Sequence, residues 1–380
     1  MSDEHAAPSP VVPGGRRRRR GSGCLPILVV LAIVAGLGYL GVTRGIDELR
    51  DRFGGAEDYP GPGSGSVSFE VFGGNSLSTM GQNLEALGVV ASSEAFVEAA
   101  KEEPRSSGIQ QGFYRLRSEM AAADVVDLLV SGDTRGTQYT FLPGKTVDEI
   151  VELLARDTKL SRRDFEAALK DPDALGLPPE AEGSAEGYLF PGSYVFFGDS
   201  TATSILRDMV ARWRSAADDM DLDARAAKLG YTTRQVMTIA SMVQAEGSLL
   251  SKGDRRKIAR VIYNRLEQVS PNPSAGFLQI DATVNYALGE KVARLTIAQI
   301  DSVADSPYNT YRTKGLPPGP IAAPDSTSID AALAPADGDW FFYVTVNLRT
   351  AETKFAKTPA EFSQLEAEFD EYCATQSDRC

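Results

Sequence analysis

The chain has 380 residues, 42% hydrophobic and 24% charged, enough for two or three compact units with cores of their own and too apolar for a wholly disordered polymer. Its net charge of −13 is uneven: five arginines against two acids leave residues 1–20 at +3, so the remainder carries −16 and repels phosphate backbones, which argues against nucleic acid as a partner. The single histidine, His5, lies in a Pro-rich tail, which excludes a Ser-His-Asp triad, a Cys-His pair and a histidine metal site.

Residues 1–20 hold almost no core-forming side chains and read as a disordered cytoplasmic tail. No charge falls between Arg20 and Arg44, and Leu25–Val42 is almost wholly apolar, so residues 21–43 read as a transmembrane helix able to cross the ~30 Å hydrocarbon layer. Arg16–Arg20 should stay in the cytoplasm, which places everything after Arg44 outside the cell membrane in a single-pass protein. A cleaved signal peptide is the competing reading, but the apolar run is long and no clear small-x-small cleavage site follows it. Cys24 precedes the apolar run, which disfavours a lipoprotein; Cys373 and Cys380 either pair or stand as thiols on a C-terminal tail, 373–380.

Residues 44–66 end in GPGSGS, a flexible linker. From Val67 the chain alternates as a strand, turns at Gly73-Gly74 and continues with helical spacing at Leu77, Met80 and Leu84. The same order returns as QYTFLPGKTVDEIVELLARDTKLSRRDFEAAL, with Phe96 and Phe165 in matching places. Between the copies Ser118 is placed to cap a helix carrying Val125, Val126, Leu128 and Leu129. Residues 67–175 thus read as one α+β region similar to LysM units, which bind N-acetylglucosamine polymers; equally, they are packing modules.

Residues 176–372 read as a mainly helical domain with a few strands, the last signalled by DWFFYVTV. Thr232 or Thr233 caps a helix whose buried face is Val236, Ile239, Met242 and Val243, and the next position on that face is Glu246. Burial raises a carboxyl pKa and keeps the proton a general acid needs; an ion pair with Arg255, Arg256, Arg260 or Arg265 would lower it. Both readings stand on pattern alone.

The blocks EGYLFPGSY, IASMVQAEG, DRRKIARVIYNRL, LQIDATVNYALG and SPYNTYRTKGLPPGPIAAP resemble, in order, those of the MltG (YceG-like) family of endolytic murein transglycosylases. The family's glutamate ends an Ala-Ser-x-(Val/Ile)-x-x-Glu string, here Ala240 to Glu246, and Gln244 occupies a position that is often acidic. Thr353-Lys354-Phe355 stands where relatives often carry His-x-Phe, so that histidine is not essential here.

The resemblance implies cleavage of the MurNAc-GlcNAc bond by one carboxyl group, leaving 1,6-anhydro ends, with no metal or cofactor. It further implies that nascent strands are shortened beside penicillin-binding synthases. Glu186 and Asp281 are helper carboxylates or turn residues; Tyr188, Tyr194, Tyr308 and Tyr311 line a sugar groove or serve packing; Gln279 and Asn309 bond N-acetyl groups. The stiff stretch Gly315–Pro324 is placed as a cleft wall. The rivals are a non-catalytic peptidoglycan-binding scaffold, a lysozyme-type hydrolase using Asp281, and a pyridoxal-phosphate lyase, for which no cofactor-lysine context is recognisable.

Overall fold

The computed structural model describes residues 56–267, 272–292 and 294–376. The tail 1–20, the apolar segment 21–43, most of the expected linker and Cys380 lie outside them. Among the described residues no helix is long and apolar enough to cross a membrane. The described chain is α+β, mainly helical, and divides into two compact units, one of residues 56–67, 73–109 and 116–130, the other of residues 68–72, 110–115 and 131 onward.

In the first unit the chain begins strand β1 (Ser64–Val71), earlier than Val67, and Asp58, within the expected linker, accepts the Ala122 N–H at 3.1 Å. Gly74 takes φ +85° in the turn, a left-handed conformation that costs glycine nothing. Helices α1 (Leu77–Ala86) and α2 (Ser93–Glu102) follow, their first turns bonded by the Ser76 and Ser92 hydroxyls. Met80, Leu84, Phe96 and Ala100 are buried. Ser118 caps nothing: β2 (Gly112–Ser118) runs through it, and only after a turn at Glu119 (φ +59°) does α3 (Ala122–Ser131) start.

The second copy of the motif belongs to the second unit, together with the Glu246 helix, so the compact units do not divide at 175/176. It comprises β3 (Arg135–Phe141), a turn with Gly144 at φ +80°, α4 (Val147–Asp157) and α5 (Arg162–Ala168). Thr146 and Glu149 close a capping box at the start of α4, and Ile150, Val151, Leu154 and Phe165 are buried. β3 pairs antiparallel with β4 (Gly192–Phe196), Thr137 opposite Phe196, in a sheet of order β1-β2-β3-β4.

Beyond β4 come α6 (Ala202–Asp219), α7 (Leu222–Leu229), α8 (Thr233–Gly247) and α9 (Lys252–Leu266). Then follow α10 (Asp281–Leu288), α11 (Ile297–Ser302), α12 (Ser326–Leu333), the hairpin β5 (Phe342–Asn347) and β6 (Glu352–Ala356), and α13 (Pro359–Thr375). Of the two possible caps of α8 it is Thr232 that bonds the Gln235 N–H. From Val236 to Gln244 the helix is buried on every side, packed against α9 and α12, and so is more than the amphipathic helix its spacing predicts.

Within the stretch Gly315–Pro324, expected as a cleft wall, Pro318 is exposed while the second half is buried. Pro320–Pro324 is buried as a strap: the Ile321 N–H donates to Ser241 Oγ at 3.0 Å, and the Ala323 N–H to the Lys145 carbonyl at 2.9 Å. Burial is tolerable because the prolines bring no N–H to satisfy and the Ile321 and Ala323 N–H groups find partners. Gly187 faces this strap at φ +86°, and a Cβ there would lie 2.5 Å from Pro320 Cβ. Gly187→Ala should therefore combine left-handed strain with overpacking and cost about 2–4 kcal/mol, read as a lowered midpoint in urea denaturation with unchanged slope.

Candidate active site

Glu246 lies in the last turn of α8 and is half-buried. Two donors from distant parts of the second unit reach its carboxylate: the Tyr343 phenol donates to Oε2 at 3.0 Å, and the Ala282 N–H, in the first turn of α10, donates to Oε1 at 3.3 Å. The arginines of α9 are engaged elsewhere. Arg255 pairs with Asp325 at 2.9 Å, Arg256 meets Asp330 at 3.4 Å, Arg260 donates to the Ala336 carbonyl at 2.7 Å, and Arg265 donates to the carbonyls of Phe341 and Leu278. Among the described residues no ion pair forms on Glu246, which removes the arginine-paired alternative.

Surrounding protein therefore raises the Glu246 pKa, first by burial and next by the negative charge of Asp281; Tyr343, the Ala282 N–H and the nearby Arg265 charge oppose the rise without reversing it. Asp281 opens α10 and accepts the Tyr311 hydroxyl at 2.5 Å. Gln279, two residues earlier, is exposed and holds φ +50°, uncommon for a side chain of this kind, while its N–H donates to the Thr310 carbonyl at 3.1 Å.

One turn along α10 from Ala282, Tyr286 donates to a second carboxylate, Glu186, at 3.4 Å. Glu186 is 8% exposed, and it also accepts the Val147 N–H at 3.2 Å, which satisfies a free donor at the start of α4. Burial pushes its pKa up to about 7. The Tyr308 ring packs against that of Tyr286, centroids 4.7 Å apart and planes tilted by 50°.

The structure thus groups Glu246, Asp281 and Tyr311, with Gln279 beside them in the chain, and separately Glu186 with Tyr308. Three expectations fail. Tyr188 is fully buried against Trp213 at 4.7 Å, its hydroxyl donating to the Glu180 carbonyl; it is a core residue. Tyr194 likewise turns its hydroxyl inward, to the Phe190 carbonyl at 2.6 Å. Asn309 is 0% exposed, its amide donating to the carbonyls of Ile300 and Val303 and its oxygen accepting the Tyr311 N–H, so none is left for an N-acetyl group. Tyr343 and Tyr286 belong to the surroundings of these carboxyl groups without having been legible as such in the sequence. Tyr343 sits in an aromatic run that reads as strand packing; Tyr286 is in the same sequence block as Asp281, the one signal that pointed to it.

Thr353, where relatives often carry histidine, shares a hydrogen bond with Thr345 at 2.9 Å across the hairpin. Cys373 is disulfide-bonded. A cleft of about 490 Å³ is lined by Pro178, Trp213, Arg214, Asp218 and Asp223, and by none of the residues around Glu246.

A carboxyl group with a raised pKa and with a phenol and an amide for partners, at the end of a buried helix in an α+β scaffold, is the kind of arrangement an acid–base enzyme uses. The YceG-like family model matches residues 69–368, and the chain belongs to that family. It is 31% identical over 320 residues to an endolytic murein transglycosylase of Bacillus subtilis (strain 168), covering 80% of this chain and 85% of that protein. It is 28% identical to an endolytic murein transglycosylase of Streptococcus pneumoniae (strain D39), covering 84% of this chain and 60% of the pneumococcal protein's length. A crystal structure of a YceG-like protein from Listeria monocytogenes matches with a TM-score of 0.52 at 28% identity, over 79% of this chain and 99% of that one.

Glu186 allows a direct check on burial as the cause of its raised pKa. Folding lifts the value from 4.5 to about 7, so the folded protein keeps a proton that the unfolded chain releases. Stability then falls as pH rises through that window and stays lower above it. Glu186→Gln, which keeps an acceptor for Val147, should flatten this fall and raise stability above pH 7 by roughly 2–3 kcal/mol, measured by denaturant titration at several pH values.

Proposed function

We propose that this chain is an endolytic lytic transglycosylase of peptidoglycan, with Glu246 as its acid and base. The observation that carries this reading is the Glu246 carboxyl group, crowded by protein, next to the negative Asp281 and, among the described residues, in no ion pair. Such a group gives up its proton less readily than an exposed carboxyl group does. The names of the relatives from Bacillus subtilis and Streptococcus pneumoniae support the substrate and the bond cut.

In the reaction, the Glu246 proton passes to the oxygen joining N-acetylmuramic acid to N-acetylglucosamine as the C1–O bond breaks, the bonding pair leaving with that oxygen. The positive charge at C1 develops beside the Glu246 carboxylate and Asp281. The muramoyl C6 hydroxyl then closes onto C1 and returns a proton to Glu246, which restores the acid and leaves a 1,6-anhydro end. Tyr311 positions Asp281 through its hydroxyl, and the exposed Gln279 is the side chain offered to the sugar's N-acetyl group.

The wider setting extends the same reading. The arginine run and apolar segment tether the enzyme to the cell membrane with its domains outside. The two strand–glycine turn–helix copies serve as LysM-like units that hold glycan, and cutting near the membrane shortens nascent strands beside penicillin-binding synthases. The family resemblance alone supports that partnership.

The decisive experiment is digestion of purified sacculi by the full-length chain in detergent, with products read by mass spectrometry. Wild type should release anhydro-ended muropeptides, and Glu246→Gln should lower the rate by about 10²–10⁴-fold. Reducing ends in place of anhydro ends would identify a hydrolase, and undiminished release by Glu246→Gln would leave the residue without a catalytic role.

A further inference from the structure

Tyr343 reaches Glu246 from 97 positions along the chain, on a hairpin whose approach is held by one helix. From α9, Arg260 Nε donates to the Ala336 carbonyl at 2.7 Å, Asn264 Nδ2 to those of Gly338 and Trp340 at 3.1 and 2.8 Å, and Arg265 Nε to that of Phe341 at 2.7 Å. Backbone carbonyls at four positions just before β5 are thereby fixed against α9. Within the hairpin Tyr343 stands opposite Phe355, the two rings 6.2 Å apart. The direction of the phenol is therefore set twice, by the anchored strand and by the ring opposite.

We infer that Tyr343 is a positioning residue for the acid–base step, orienting the Glu246 carboxyl group through its O–H···Oε2 hydrogen bond and stabilising the carboxylate left when the proton departs. This rests on the function proposed above. The phenol keeps its own proton throughout: the only proton that moves travels from Glu246 to the departing sugar oxygen and later returns from the C6 hydroxyl. A hydrogen bond to a charged oxygen is stronger than one to a neutral oxygen, so the contact favours the state after proton transfer over the state before it. The charged and titratable groups facing Glu246 are Asp281 from α10, Arg265 from α9 and Tyr343 from β5, with Tyr311 bonded to Asp281. Asp281 opposes the carboxylate; Tyr343 and Arg265 support it, and of these Tyr343 alone is hydrogen-bonded to it.

The test compares the full-length wild type with Tyr343→Phe, which keeps the ring against Phe355, over a pH series with sacculi as substrate. Turnover should fall about tenfold with KM changed less than about twofold. The alkaline limb, where the acid loses its proton, should move up by about one unit because a donor that stabilised the carboxylate is gone. Replacing Tyr343 by 3-fluorotyrosine, a stronger donor of similar shape, should move the limb down. A ¹³C titration of the Glu246 side chain, identified by its loss in Glu246→Gln, should follow both shifts without reference to turnover.

An unmoved limb and titration in both variants would overturn the inference, as would a loss expressed only in KM. If Glu246→Gln is inactive while the Tyr343 variants titrate as wild type, the role of Tyr343 fails and the enzymatic reading survives. If Glu246→Gln stays active, both fail.

Discussion

A carboxyl group crowded by protein and, among the described residues, in no ion pair is costly, and much of the second unit can be understood from how that cost is tolerated. α8 crosses the interior, so each polar side chain along it needs a partner. Thr238 Oγ1 donates to the Arg234 carbonyl at 2.8 Å, Ser241 Oγ to the Thr238 carbonyl at 2.7 Å, and Gln244 Oε1 accepts the Asp325 N–H at 3.1 Å and the Ser328 hydroxyl at 3.0 Å. The Gln244 bonds also attach α8 to the start of α12, and Ser241 Oγ, by accepting the Ile321 N–H, attaches it to the Pro320–Pro324 strap. Glu246, at the end of the same helix, receives among the described residues a phenol and one long amide contact, so its proton is held more firmly than on the surface.

Electrostatic isolation is arranged as deliberately as the packing. α9 carries arginines that would depress the Glu246 pKa if they paired with it, and each has a different anchor. Arg255 goes to the carboxylate that caps α12, Arg256 to Asp330, and Arg260 and Arg265 to backbone carbonyls ahead of β5. The same guanidinium groups that are kept from the acid therefore place the strand that carries Tyr343. Asp281, by contrast, is the charge closest in effect, and its sign favours the neutral acid.

A second buried acid, Glu186, shows how one residue type serves two ends. Its oxygens meet the first turn of α4, a helix-start role that the family block around it did not distinguish from sugar contact. Tyr286 connects this position to α10, the helix whose start meets Glu246. Both carboxyl groups thus flank α10, one near its first turn and one a turn later.

The amino-acid sequence by itself determined the helix of Glu246, the repeated strand–turn–helix order with its two glycine turns, and the family, because these depend on local spacing and on residue types within short blocks. It also limited the chemistry, since the one histidine, His5, lies in the Pro-rich stretch far from the family blocks, which excludes a Ser-His-Asp triad and a histidine metal site. Only the tertiary structure decided which arginines pair with which acids, that Asn309 spends its amide on its own turn, that Tyr188 is core, and that a tyrosine 97 residues away completes the site. The physical reason is range: spacing along a strand or helix records which side is buried, whereas hydrogen-bond partners and the pKa of a buried acid depend on groups brought together by packing across the whole unit.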